Sequence, residues 1–392
     1  MKTTFSLKLI KVLAFIMFVG ALNTNCKAQA NSFAYKSVPN AYLPSANDLA
    51  SYRDAANTAQ SGAYDLTTSL PQGFVKDGSV DYTRYLQQGI NNNKKVIFPD
   101  FPVFVNVAGL SLISNSTVMF RPNSKIILMP NGAGSYQILQ LNNLQNVIIY
   151  FPVIEGDKIK HTGNNGEWGM GISIARSSNI QIINPKISNC WGDGIYIGNS
   201  NENIKLYYPM LNNNRRNGIS IISVNGLLVK SAIISNTSGT LPMSGIDIEP
   251  NNDSNELQNI DIENPVTFNN ANHGIVMDLE RLGVKNKNIN IVVNNHIDDG
   301  SKNGFGMAMS KVQRANKLQS IWTGQIVISN ATWKNNNNKG FVDYKGDHNG
   351  LNITMKNLSI YNKNNNGVEA LDRQQVENLK STMKNHYQAV IK

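Results

Sequence analysis

Gly171-Ile172-Ser173-Ile174, Gly194-Ile195-Tyr196-Ile197, Gly218-Ile219-Ser220-Ile221, Gly245-Ile246-Asp247-Ile248 and Gly274-Ile275-Val276-Met277 repeat one phrase: a glycine, then apolar, variable, apolar. Gly304-Phe305-Gly306-Met307, Gly340-Phe341-Val342 and Gly367-Val368 continue it less perfectly. Alternation of period two predicts strands. Successive glycines are 23, 24, 27, 29, 30, 36 and 27 residues apart. That is the length of one turn of a parallel β-solenoid and leaves no room for crossover helices. A second short strand per turn is expected at Asn179-Ile180-Gln181-Ile182, Asn203-Ile204-Lys205-Leu206, Asn259-Ile260-Asp261-Ile262 and Asn288-Ile289-Asn290-Ile291.

The repeat explains an unusual composition. The chain of 392 residues contains 59 Asn, about 15%, a residue that favours turns and left-handed backbone. Asn189, Asn213, Asn269, Asn335 and Asn362 each lie five residues before a repeat glycine. Stacked turns bring them into one column, where side-chain amides can bond along the stack. The repeat glycine itself is expected to satisfy a turn of positive φ; the alternative is a bare floor under a ligand.

At 41% hydrophobic, 16% charged and two Cys, the chain is neither disordered nor a disulfide scaffold. Residues 1–30 read as a secretory signal peptide, with basic Lys2, Lys8 and Lys11, an apolar run from Val12 to Leu22, and a cleavage site at Ala28-Gln29-Ala30. The run is too short to span a bilayer, and no later segment is long enough. Cleavage there leaves Cys190 as the single cysteine. Cys26 offers lipid attachment as an alternative, although Asn23-Thr24-Asn25 is not the apolar-then-small sequence such a signal carries. The net charge of +10 falls to about +6 once the four lysines of the leader are removed. The expected product is exported, to the periplasm, the cell surface or the medium. Residues 31–75 form an N-terminal extension and 76–366 the solenoid. Asp81 to Ile90 reads as a helix sealing one end, with Asp81 as cap and Tyr82, Leu86 and Ile90 at helical spacing. Strands are expected at 96–98, 103–105, 117–120 and 125–128. Residues 367–392 cap the other end, since a bare solenoid end exposes core and strand edges.

The helix from Asp81, the strand ending Phe98-Pro99, Leu110-Ser111-Leu112 and the stacked Gly-Ile-x-Ile turns together resemble the pectin-lyase-like superfamily, over roughly residues 75–365. The resemblance implies an all-β, single-stranded right-handed parallel β-helix. It also implies a range of activities on polysaccharides, from lyases, hydrolases and epimerases to non-catalytic proteins, so the fold does not choose the reaction. Trp191-Gly192-Asp193-Gly194 and Asn272-His273-Gly274 are similar to parts of the polygalacturonase pattern, whose paired Asp and Arg-x-Lys are missing here. Asn217 followed by Asp247-Ile248-Glu249 resembles the calcium-dependent lyases similar to chondroitinase B. The basic residue expected next is replaced by Asp253-Ser254-Asn255-Glu256.

With the first and third residues after each glycine pointing inward, the second points outward, and so does the fourth unless the chain has already turned. The second position holds Ser173, Tyr196, Ser220, Asp247 and Val276; the fourth holds Ala175, Gly198, Ile222, Glu249 and Asp278. Turns stack about 4.8 Å apart, so Asp247, Glu249 and Asp278 should crowd together. Crowded carboxylates need a cation, a shared proton, or a base such as Arg281. Asp193, Asn217 and His273 precede their glycines, and Arg216 stands one place earlier; their direction is not fixed by the alternation. Arg215 and Arg216 are either a solvated pair or a clamp for a uronate carboxylate. The loop from Glu155 to His161, running into Glu167-Trp168, is either an ordinary excursion or one wall of a glycan groove.

Three functions remain open. In a lyase, calcium held by Asp247, Glu249 and Asp278 would neutralise a uronate and acidify its neighbouring C–H, with a basic side chain taking the proton; His273 is a candidate acid or base, and Arg216 could withdraw charge from the uronate. In a hydrolase, Asp193, Asp247, Glu249 and Asp278 would supply an acid and a base or nucleophile. Tyr196, Arg215, Trp168 and Arg281 would bind the sugar in either case. The third reading is a glycan-binding or surface-structural β-helix without catalysis. The positive charge of the processed chain favours an acidic glycan, and the absence of a basic stripe argues against nucleic acid.

Overall fold

The computed structural model describes residues 33–282, 287–309, 322–344, 346, 348–363 and 367–392. The leader, its cleavage site and Cys26 lie outside the described residues. Tyr35–Lys392 forms one unit.

Each turn lays down three short strands, one more than the two the repeat predicts. A representative turn has strands at Ser178–Ile183, Lys186–Ser188 and Ile195–Ile197. The middle strand is only three residues long, too short for alternation to reveal. Stacking the turns builds three sheets of 12, 9 and 11 strands. The nine-stranded sheet carries the Gly-Ile-x-Ile phrase. Its strands are β1 (Leu110–Ser111), β2 (Ser135–Asn142), β3 (Trp168–Ala175), β4 (Ile195–Ile197), β5 (Asn217–Ile221), β6 (Ser244–Ile248), β7 (His273–Asp278), β8 (Asn303–Ala308) and β9 (Lys339–Asp343). Pairing is parallel and keeps the repeat in register: Ile172 lies opposite Ile195, then Ile219, Ile246, Ile275, Phe305 and Phe341.

Ile172, Ile174, Ile195, Ile197, Ile219, Ile221, Ile246 and Ile248 are fully buried in the lumen. Each contributes about 1.5–3 kcal/mol of burial, and their β-branched chains suit a pleated surface. Gly367 apart, with φ of 75°, the repeat glycines do not adopt positive φ, contrary to the sequence expectation. Their missing side chain would point inward, and a Cβ at Gly171, Gly194, Gly218, Gly245, Gly274 or Gly304 would come within 2.5–2.9 Å of the carbonyl oxygen of the next repeat glycine. Glycine is therefore kept by close packing along the stack, not by backbone conformation, and it floors no ligand site.

Positive φ belongs to the asparagines instead. Asn189, Asn213, Asn236, Asn269 and Asn335 have φ between 51° and 59°. Asn213 Nδ2 donates to Asn189 Oδ1 at 2.8 Å, Asn236 to Asn212 at 2.9 Å, and Asn269 to Asn236 at 2.8 Å. A second ladder, Asn115–Asn146–Asn179–Asn203, runs along another corner with the same geometry.

Helix α1 (Ala50–Ala59) follows an N-terminal segment that runs along the outside of the turns, where Tyr42 Oη donates to Asp299 at 2.8 Å and the Lys36 backbone pairs with Asn236. Helix α2 (Thr83–Asn92) covers the first turn with Leu86 and Ile90, and Asp81 accepts the Thr83 N–H at 2.9 Å. At the other end α3 (Arg373–Tyr387) lays Leu379, Met383 and Tyr387 over the last turn. Among the described residues, no helix is long and apolar enough to cross a membrane.

Candidate functional site

The inward-pointing repeat glycine settles the direction that alternation left open. Because the glycine and its successor both face the lumen, the residue before the glycine faces outward with the second residue after it. Asp193, Asn217, Ser244 and His273 thus join Tyr196, Ser220 and Asp247 on one external ledge formed by β4–β7.

Arg216 is the centre of that ledge. Its Nη1 donates to Asp193 Oδ2 at 3.3 Å and to Ser220 Oγ at 3.2 Å, and its Nη2 to Glu249 Oε2 at 2.8 Å. Nε lies 3.5 Å from Glu167 Oε2. Asn217 extends the network, donating from Nδ2 to Asp247 Oδ2 at 2.9 Å and from its backbone N–H to Asp193 Oδ1 at 3.0 Å. Ser220 Oγ donates to Asp193 Oδ2 at 2.8 Å. Asp193, Asn217, Ser220 and Asp247 are at most 1% exposed, whereas the Glu249 and Glu167 side chains are 20% and 43% exposed. Solvent therefore meets the network at Glu249 and Glu167.

One guanidinium faces two buried carboxylates, Asp193 and Asp247, and burial disfavours their charged forms. Burial raises Asp193 to about 6 against the pull of Arg216 and Ser220. Asp247 is pushed well above the usual carboxylate range, first by burial and then by the neighbouring Glu249 charge. Asp278, on the next turn, is raised by burial and also by Glu249, although Glu280 N–H bonds its Oδ1 at 3.0 Å. Burial also raises Tyr196, which half-lines the ledge. His273 stands apart from the acids. Its Nε2 pairs with Tyr344 Oη at 2.8 Å, and burial, then the charge of Lys302, lower it to about 4, leaving a neutral imidazole.

Residues 170–351 match the family model described as the right-handed beta helix region. The fold is a right-handed parallel β-helix. An endo-xylogalacturonan hydrolase from Aspergillus tubingensis superposes on this β-helix with a TM-score of 0.55 at 12% identity, covering 76% of this chain and 84% of that one. A polygalacturonase from Erwinia carotovora ssp. carotovora gives 0.53 at 16%, covering 73% and 92%. At such identities the likeness carries the fold alone. Among curated proteins, YclG of Bacillus subtilis is 27% identical over 271 residues, 60% of this chain and 46% of its own. The prophage-derived YorA of the same organism is 32% identical over 162 residues, 36% and 28%. The chain thus spans less than half the length of these two relatives.

The β-helix assembles Asp193, Arg216, Asp247 and Glu249 into one network with Asp278 beside it, and keeps His273 separate. Among the described residues no three or more His, Cys, Asp or Glu are grouped where they could hold a metal ion. Asp247 is tied to Asn217, and the cation that meets Glu249 is Arg216. Arg215 has a different duty from its neighbour. Its guanidinium stacks on the Trp191 ring at 3.9 Å and donates to Gly166 O at 2.8 Å, so it holds a loop. Trp168 is 56% exposed at the edge of the ledge, and Arg281 is exposed beyond Asp278, whose acidity it increases. Sequence reasoning placed Glu167 only in a loop that could wall a glycan groove, without pairing it with Arg216, and passed over Tyr344. Tyr344 continues the fourth-position column after Gly340 and was there to be found; Glu167 belongs to a loop and carries no periodic signal.

Proposed function

We propose that this β-helix hydrolyses glycosidic bonds of an acidic polysaccharide at the Arg216 ledge. The observation that carries the proposal is Asp247, buried, bonded to Asn217 and pushed well above the usual carboxylate range by burial and then by the charge of the solvent-facing Glu249. A carboxyl whose acidity is weakened by burial and a neighbouring carboxylate is what protonation of a leaving glycosidic oxygen requires. Asp247 supplies the proton, Asp278 on the adjacent turn supplies the second carboxylate, and Arg216 fixes Glu249 while offering positive charge. The fold shared with two galacturonan-type hydrolases supports the assignment by analogy. The ledge faces outward along the stack, and export to the polysaccharide, as the leader suggests, belongs to the same proposal.

One observation favours a second reading, β-elimination. His273 is a neutral imidazole bonded to a tyrosine hydroxyl on the same sheet, a pair able to accept a proton from carbon. The route is drawn without calcium, since Asp247 is bonded to Asn217 and Glu249 to Arg216. A panel of uronic-acid and neutral polysaccharides, scored for new reducing ends and for unsaturated products with and without a chelator, separates the readings. Reducing ends without unsaturation, unaffected by chelation, are expected. Unsaturated ends would replace hydrolysis by elimination, and loss of activity on chelation would restore a metal. No turnover on any polymer would leave a binding or structural β-helix.

A further inference from the structure

Glu167 is the one acid of the ledge supplied by a loop, and that loop is pinned at both ends. Near its start the Asp157 carboxylate takes bonds from Tyr136, Asn131 and His161. His161 then stacks on one face of Trp191 at 3.8 Å, and Arg215 covers the other face. At its end Arg215 bonds Gly166 O, and the Trp191 indole N–H donates to Asn165 O at 3.2 Å. Gly166 has φ of 84° and packs so closely on Gly134 that a Cβ would lie 2.2 Å from its Cα. The loop therefore delivers Glu167 to one position, over the Nε edge of Arg216.

That edge is incompletely used. Arg216 is 9% exposed and its Nε–H is buried without a hydrogen-bond partner, since Glu167 stands off at 3.5 Å. A buried guanidinium N–H without an acceptor costs free energy that a well-placed carboxylate would recover. We propose that Glu167 is an internal stand-in for a substrate carboxylate: a uronate enters beside the exposed Trp168, displaces the half-exposed Glu167 side chain and bonds Arg216 Nε. The inference rests on the ledge being the glycan site, and it makes Glu167 a specificity-determining residue that disfavours anions too weakly held to displace it. Neutral sugars gain nothing from the exchange.

The test is calorimetric titration of trimers of galacturonic, glucuronic and mannuronic acid, and of their methyl esters, into the full chain. Removing the resident charge in Glu167→Gln should raise affinity for at least one acidic trimer about tenfold, or about 1.4 kcal/mol, with no change for its ester. Glu167→Ala guards against the glutamine making a new bond and should behave alike, while Arg216→Gln should abolish the preference for the acid over the ester. Unchanged or weaker acid binding in both Glu167 variants overturns the inference, as does an equal gain for the ester or no binding by any variant. A gain in acid binding without turnover of any polymer keeps this inference and removes the proposed hydrolysis. Turnover with a KM indifferent to Glu167 does the reverse.

Discussion

Trp333 Nε1 can only donate, so its 3.1 Å bond to His296 Nδ1 leaves the proton of this buried imidazole on Nε2, facing Thr267 Oγ1 at 2.8 Å. Thr267 in turn donates to Asp298 Oδ1 at 2.6 Å. Both titratable groups are wholly buried in the lumen. Burial lowers His296 to about 3 and raises Asp298 to about 7, against hydrogen bonds from Thr267, Ser301 and Asn336. The signs oppose. Asp298 stabilises most below the ordinary carboxylate pKa, and its contribution is lost as pH rises toward 7. The His296 contribution is present above the ordinary imidazole pKa and is lost as pH falls toward 3. Between about pH 4 and 6.5 the two slopes cancel. His296→Gln should expose the Asp298 slope, about 1.4 kcal/mol per pH unit, as an unfolding midpoint that falls from pH 4 to 7 more steeply than in the native chain. A parallel profile would show that Asp298 is not protonated. On the ledge, Asp247→Asn keeps an acceptor for Asn217 but removes the carboxyl proposed as the proton donor. Hydrolysis should fall at least about 100-fold with little change in the unfolding midpoint, measured as initial rates beside thermal melts.

At the scale of the element, the corner asparagines combine a left-handed backbone with an amide rung. Glycine can replace the first property and not the second; alanine replaces neither. Asn203 has φ of 52° and donates to Asn179 Oδ1 at 2.7 Å, and the corresponding corner of the next turn is already Gly226, with φ of 82°. Asn203→Ala should therefore lower stability by about 1–2 kcal/mol, and Asn203→Gly by clearly less, read from denaturant midpoints of the two variants. Equal losses would mean that the rung, not the backbone, sets the cost. The strands and the asparagine column were legible because each follows from a period that burial enforces on every turn. The Asp247, Glu249 and Asp278 grouping was legible for the same reason, since it is two columns read outward. Whether Asp193, Asn217 and His273 joined them was not, because one inward-facing glycine changes the parity of everything before it.

Over the whole molecule, stacking removes strand edges everywhere except at the two ends, which α2 and α3 close. Met383 is fully buried against the last turn. Met383→Asp should lift α3, expose Met355 and Ile360 together with free strand edges, and produce oligomers or aggregates in size-exclusion chromatography. A monodisperse variant of unchanged size would show that the cap is dispensable. The repeat alone dictates the solenoid, its turn length and its lumen, because one short phrase must bury the same face at every turn, and it calls for covered ends. It also named most of the ledge. Only the tertiary structure decided which cation meets the acids. Arg216 reaches residues 23 and 33 positions away, and Glu167 is brought to it by a loop anchored on Trp191. Such contacts depend on where a loop crosses the stack, and no local period records that.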